Sequence, residues 1–325
     1  MLFLALAVAC SLGIATLFKL AERREIDRMA LLTVNYAAAA ALALALQERG
    51  QAEAITAGLV ALGVTQGVLF IAGFWLFALA IRLAGMGLAA GVMRLSVAIP
   101  VLASWAVWGE APAPIQMLGL GLAGGAFVLV SRPPGEPEVR APASGADAAA
   151  PEASPPEASG ARTALVLGLL FLAGGAVDTL MKAFDEGYAG AVDEALFLLF
   201  VFGVAFAVGA VAVVARGLRE GAWPGRAALG WGVLLGVINY ASADFILRAV
   251  AVLSGPVVFP ANSVAIVLGA ALLGWGLWRE RLSRANVAGL ALAVVALACL
   301  TAGPTAADEP TAEPRPVAGV RAPHG

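Results

Sequence analysis

Trp105-Ala106-Val107-Trp108-Gly109-Glu110 returns 170 positions later as Trp275-Gly276-Leu277-Trp278-Arg279-Glu280. An apolar run closed by two tryptophans and a glutamate is too particular to recur through composition alone, so the chain reads as an internal duplication. Gly119, nine residues past the first glutamate, is matched by Gly289 at the same offset. Upstream, Ser96-Val97-Ala98-Ile99 recurs as Ser263-Val264-Ala265-Ile266, displaced by 167, which implies a small insertion or deletion. The start of each half agrees too. Thr16-Leu17-Phe18-Lys19 corresponds to Thr179-Leu180-Met181-Lys182, 163 apart, and these hold the only two lysines among 20 basic residues. Repetition of a long unit in a very apolar chain is a construction used by many membrane transporters, with the substrate site near the bilayer midplane between the halves.

Composition leads to the same class independently. With 61% hydrophobic and 13% charged residues and a mean hydropathy of +0.90, the chain carries more apolar surface than a soluble core of its length hides. Lipid is therefore its first partner. Cys10 and Cys299 both sit in apolar runs, where they act as small hydrophobes and define no disulfide framework. The single histidine, His324, lies in the tail, which leaves no material for a histidine zinc site. No phosphate-binding loop of the G-x-x-x-x-G-K-[ST] type occurs, so the chain does not hydrolyse nucleotide by that route; no cofactor and no metal are expected. Nothing in the charge pattern suggests a nucleic-acid partner.

About 20 mostly apolar helical residues cross a hydrocarbon layer, because backbone groups cannot stay unpaired in lipid. Ten segments meet this, near 2–20, 28–47, 56–81, 87–108 and 113–130, then 163–182, 192–215, 227–248, 256–277 and 285–302. The expected fold is thus an all-α integral membrane protein of ten transmembrane helices in two inverted five-helix repeats, residues 1–130 and 163–302. Residues 131–162, dense in Pro, Ala, Ser and Glu, read as a disordered linker, and 303–325 as a disordered tail. The flanks of the first segment do not suit a cleaved signal peptide. Arginines cluster in the loops after helices one, seven and nine and in the linker, whereas the loop after helix six carries Asp185, Glu186, Asp193 and Glu194. The positive-inside rule puts the odd-numbered loops and the linker in the cytoplasm and both termini outside. Five helices per half, an odd number, turn the second half over relative to the first.

This ordered set of features resembles the EamA family of the drug/metabolite transporter superfamily. The likeness covers both halves and excludes linker and tail. It rests on the repeated glutamate-closed aromatic stretch, on Asn35-Tyr36 in the second helix, on Arg94-Leu95-Ser96 leading to Pro100 in the fourth, and on Phe259-Pro260-Ala261-Asn262 in the ninth. The resemblance implies a secondary transporter of the cell inner membrane, multi-pass, exporting or exchanging small metabolites. Members of the superfamily are usually drawn with both termini cytoplasmic, opposite to the arginine pattern here.

Ionisable side chains within the bilayer are costly, so they are the leading site candidates. Arg94, about seven residues or roughly 10 Å into the fourth segment, has the fork geometry to clamp a carboxylate or phosphate; the alternative is a structural pair with an acid on another helix. Asp178 faces Ala15 in the repeat alignment and so breaks the symmetry. A desolvated carboxylate there is a candidate for proton coupling, and the resemblance adds that small multidrug-resistance relatives use a first-helix glutamate in that way. Lys182, one turn on, offers a competing local pair. Lys19 and Lys182 complete the coupling candidates, against a reading in which their stems snorkel to interfacial water. Asn35, Tyr36, Asn239, Tyr240 and Asn262 are candidate substrate contacts, with Gln66 and Ser263 of the same chemistry; amide-mediated helix packing is the alternative for all of them. Asp244 and Arg248 form a one-turn pair of structural type. Glu110 and Glu280 close their helices, where capping accounts for them. Pro100 and Pro260 fit hinges or kinks, and the tryptophans an interfacial belt. The function expected is secondary transport of small polar metabolites by alternating access. A membrane-embedded enzyme acting on lipid-linked substrates is the competing class, with the acidic loop after helix six as its clearest cluster. Homo-oligomerisation is left open.

Overall fold

The computed structural model describes residues 1–131, 157–221, 223–279 and 283–302. Within them the chain forms α1 (Leu2–Arg23), α2 (Arg28–Leu46), α3 (Ala57–Leu95), α4 (Ala98–Trp108), α5 (Pro114–Val130), α6 (Glu157–Tyr188), α7 (Glu194–Glu220), α8 (Arg226–Val250), α9 (Gly255–Trp278) and α10 (Arg284–Thr301). No strand occurs among the described residues. Nine spans there are long and apolar enough to cross a membrane, and Pro114–Val130 is a shorter apolar helix. Only 11 to 50% of each span is buried inside the chain, so most of its apolar surface has no protein neighbour and requires acyl chains. Leu102, Leu172, Val211, Leu272 and Val294 are outward-facing residues of this kind. The result is an all-helical architecture of the multi-pass membrane class.

Three boundaries differ from the sequence expectation. α3 runs on to Leu95 and contains both the third span, Ala57–Gly85, and the start of the fourth, Leu88–Trp108. Gly85 separates them with φ 81° and ψ 161°, a conformation only glycine adopts without strain. The fourth span is itself interrupted at Ser96 and Val97 before α4 begins. α6 starts at Glu157, so residues 157–162 are helical where composition suggested linker, and it continues to Tyr188, six residues beyond the expected end. The rest of the expected linker, the tail with His324, and Glu280 lie outside the described residues.

Helix starts follow capping chemistry. The Asp27 carboxylate accepts the Ala30 N–H at 2.7 Å to begin α2, and Asp193 accepts the Leu196 N–H at 2.8 Å to begin α7. Asp27 also forms an ion pair with Arg216 near the end of α7, and Asp193 accepts the N–H of Glu48 just past the end of α2. α2 and α7 are thereby tied to each other at both ends.

Packing runs across the two halves of the sequence more than within them. α2 lies on α7 and α8, α3 on α6 and α7, α1 on α8 and α9, α4 on α6 and α9, and α5 on α10. Small residues allow these approaches. A Cβ added to Gly119 of α5 would stand 3.0 Å from the Leu300 nitrogen, and one on Gly289 of α10 would stand 3.0 Å from the Val130 nitrogen. The two contacts pair opposite ends of α5 and α10, so these helices run antiparallel. Asn286 Nδ2 donates to the carbonyl of Val130 at 3.0 Å, completing the end of α5.

Candidate functional site

The interruption of the fourth span has a local cause. Pro100 offers no N–H, and its ring crowds the carbonyl four residues back, that of Ser96, which disfavours a continuous helix through 96–100, although α9 accommodates Pro260 without a break. The Ser96 hydroxyl turns back to donate to the Met93 carbonyl at 2.6 Å. α6 crosses this turn closely because it presents Gly174 and Gly175 there: a Cβ on the first would lie 2.6 Å from Ser96 Oγ, and on the second 2.5 Å from Ile99 Cβ.

Arg94 stands in the last turn of α3, just before that crossing, and Asp178 one turn beyond Gly174 on α6. No ion pair within 4 Å joins them among the described residues, so neither consumes the hydrogen-bonding capacity of the other. Both are partly buried. Asp178 is ten residues from the end of α6, roughly 15 Å at 1.5 Å per residue, and one turn before Lys182. Lys182 pairs with Glu110, Asp185 and Glu186 and not with Asp178.

A second group of candidates gathers around Phe202 of α7. Tyr36 stacks on it at 6.3 Å between centroids, Tyr240 lies tilted at 6.5 Å, and Phe70 stacks at 6.0 Å. Asn35, beside Tyr36, is 2% exposed with its Oδ1 unpartnered, and Asn262 on α9 also has an unpartnered buried Oδ1. Gln66, one turn before Phe70 on α3, is fully buried with neither amide atom satisfied. Leaving such groups unpaired costs about 1–3 kcal/mol each, so they mark places for a polar guest or water. Asn239 is only half-buried. Its neighbour Tyr240 is the member of that pair that joins the aromatic group.

Lys182 does not snorkel. It is 2% exposed because α6 continues past it. Its ammonium meets Glu110 at 2.8 Å, Glu186 at 2.7 Å and Asp185 at 3.5 Å. The other oxygen of Glu110 accepts the N–H of Gly255, the first residue of α9, at 2.8 Å. Glu110 therefore caps a different helix from the one it follows, a role that spacing alone could not reveal. Its only sequence signal was recurrence at the repeat offset. Beside it, Ser104 Oγ is buried without a partner, and there is no room for a side chain at Gly255 against it. A cavity of about 40 Å³ nearby, lined by Phe184, Asp185, Glu194 and Leu247 among others, holds a few waters and not a metabolite.

The remaining candidates are placed as follows. Arg248 clasps Asp244 with two bonds of 2.8 and 3.1 Å, as its one-turn spacing predicted. Lys19 is half-buried near the end of α1. Trp105 and Trp275, repeat partners, both face outward at 54 and 62% exposure, as a lipid-facing aromatic belt requires. Among the described residues no group of three His, Cys, Asp or Glu side chains is arranged to hold a metal ion.

No family model matches the chain. A Haemophilus influenzae protein described as uncharacterized is 23% identical over 305 residues, covering 90% of this chain and 95% of its own length. A solved structure described only as the crystal structure of a protein superposes with a TM-score of 0.66 at 17% identity, covering 93% of this chain and 96% of that one. The likeness is one of fold. It extends over nearly the whole length of both chains and carries no activity with it.

Proposed function

We propose that this protein is a secondary transporter, an exporter or exchanger of small polar metabolites in the cell inner membrane, of the EamA type. The observation that carries the proposal is the Arg94–Asp178 arrangement: opposite charges inside the spans, on either side of the crossing of α6 over an interrupted helix, not closed into an ion pair. A purely structural pair gains most by closing, because hydrogen bonds between ions offset desolvation. In the proposed role Arg94 anchors an anionic group of the substrate and Asp178 carries the coupling proton. The aromatic group of Tyr36 and Tyr240, with the unsatisfied amides of Asn35, Gln66 and Asn262, supplies the remaining contacts.

Alternating access needs two inverted five-helix units that exchange places, and several features support that reading. With α1–α5 matched to α6–α10, the packing of α2 on α8 has its counterpart in α7 on α3, α1 on α8 in α6 on α3, and α1 on α9 in α6 on α4. The pairs α2–α7, α4–α9 and α5–α10 map onto themselves. Residues follow suit. Gly119 meets Leu300 while Gly289 meets Val130, each contact being the other shifted by the 170-residue offset in both partners. Gln116 accepts the Ala113 N–H as Asn286 accepts that of Ser283. The loop charges add the orientation, with the basic α1–α2 and α7–α8 loops cytoplasmic and Glu110, Lys182 and Gly255 at the outer face.

Counterflow tests the proposal. Proteoliposomes loaded with a pooled metabolite extract should exchange at least one anionic solute from an external isotope-labelled pool of the same extract. Arg94→Gln should abolish that exchange, whereas Asp178→Asn should retain it and lose uptake driven by a pH gradient. Absence of exchange for every component of the extract, with folded protein in the vesicles, sinks the transport reading.

A further inference from the structure

The outer ends of α4, α6 and α9 are fastened at one point, and the fastener is an ion pair buried where the protein is otherwise apolar. We infer that Glu110 and Lys182 form the latch of the outer gate, a device that holds the path from the Arg94–Asp178 region closed on that face. The inference rests on the transport reading above and specifies how access to that site is regulated. Three observations carry it. First, the ammonium of Lys182, 2% exposed, reaches from α6 to the residue that follows α4, a bond of 2.8 Å between the two halves of the sequence. Second, the same carboxylate holds the first N–H of α9, so that one side chain spans three helices. Third, Ser104, whose carbonyl accepts the Glu110 N–H at 3.0 Å, is fully buried beside the ion pair although its hydroxyl has no partner. The seal excludes water from a group that would otherwise take it.

The surrounding charge suits a fastener that opens. Lys182 is shared among Glu110, Asp185 and Glu186. Asp185 and Glu186 lie on its own helix, so the ammonium keeps two carboxylate partners when Glu110 leaves, and the open state does not strand a bare buried cation. The cost of opening is concentrated in Glu110, which gives up an ion pair and a charge-assisted bond to the Gly255 N–H. Such bonds are strong enough to hold a gate and weak enough to be released within a transport cycle.

The test reads water access directly. Ser104→Cys, in a background with Cys10→Ser and Cys299→Ser, places a buried thiol against the latch, beside Glu110 and Gly255, at a position whose hydroxyl makes no bond to lose. A membrane-impermeant maleimide applied to the outer face of intact cells or right-side-out vesicles should label it slowly. Adding Glu110→Gln, which keeps the shape and the acceptor for Gly255 but removes the charge, should speed labelling at least about tenfold, the factor for losing one charge-assisted hydrogen bond. Should Glu110→Gln fail to fold, Lys182→Met with Glu110→Gln removes one charge of each sign and should give the same acceleration. Lys182→Arg, which keeps the charge, should stay protected. Unchanged labelling in variants that remain monodisperse and normally stable overturns the latch. Because labelling needs no substrate, that outcome leaves the transport reading in place, whereas a gate that responds in a protein without any counterflow overturns the transport reading and not the latch.

Discussion

Removing either member of the Arg94–Asp178 pair separates two accounts of why charges sit within the spans. No ion pair within 4 Å joins them, so with an effective dielectric constant near 20 their attraction is capped at about 4 kcal/mol and falls to about 2–3 kcal/mol at 6 to 8 Å. Arg94→Gln and Asp178→Asn each forfeit this attraction and leave a lone charge, and the double variant forfeits it once. Equilibrium unfolding in mixed micelles, followed by the fluorescence of the seven tryptophans, should therefore return a double-mutant coupling energy of about 1–3 kcal/mol. A ligand identified by counterflow should bind Arg94→Gln more weakly by at least about 1.5 kcal/mol, the lower bound for a hydrogen bond to a charged group. Arg94→Lys keeps the charge and loses the fork, and should retain part of the affinity. Strictly additive stabilities, with coupling under about 0.5 kcal/mol, would refute the electrostatic pairing. Normal ligand affinity in a well-folded Arg94→Gln protein would refute the anchor.

Two further outcomes are expected. Alkaline phosphatase fused after Thr301 should be active in cells and fused at Gly145 silent, and the reverse pattern inverts the orientation while leaving the helices as described. Gly119→Ala and Gly289→Ala should each lower stability by about 1–3 kcal/mol through overpacking, since the added Cβ meets backbone nitrogen at 3.0 Å in both, whereas Gly121→Ala, with nothing within 4 Å, should cost nothing; equal tolerance at all three sites argues against the close α5–α10 contact.

The helices were readable because a span in lipid is announced by a long apolar run, and runs of that length leave few alternatives. The breaks were only half readable. Pro100 marked a kink, and the structure puts the turn at Ser96–Val97 as the ring favours, but Gly85 has neighbours of unremarkable composition and its left-handed φ could not be told from that of any other glycine in the chain. Arg94 and Asp178 were each visible as charges in apolar surroundings. That their helices cross depends on Gly174 and Gly175 letting α6 ride over the turn at Ser96, a fact of packing between segments some 80 residues apart. The surroundings of Lys182 were hidden for a related reason: the polar Asp185-Glu186 step resembles the end of a helix, yet α6 continues to Tyr188 and both carboxylates meet the lysine one turn back. Glu110 looked like a cap and is one, for a helix that begins 145 residues later.

The aspartates that start α2 and α7 have a mechanical consequence. Asp27 holds Arg216 of α7, and Asp193 holds the main chain just past α2, so the two helices form a strut pinned at both membrane surfaces. If the protein transports as proposed, an elevator stroke, in which one half slides along the membrane normal past the other, must break both pins together, whereas a rocking stroke that pivots about the strut breaks neither. The pins therefore weigh toward a cycle in which helices on either side of the strut tilt while α2 and α7 keep their register.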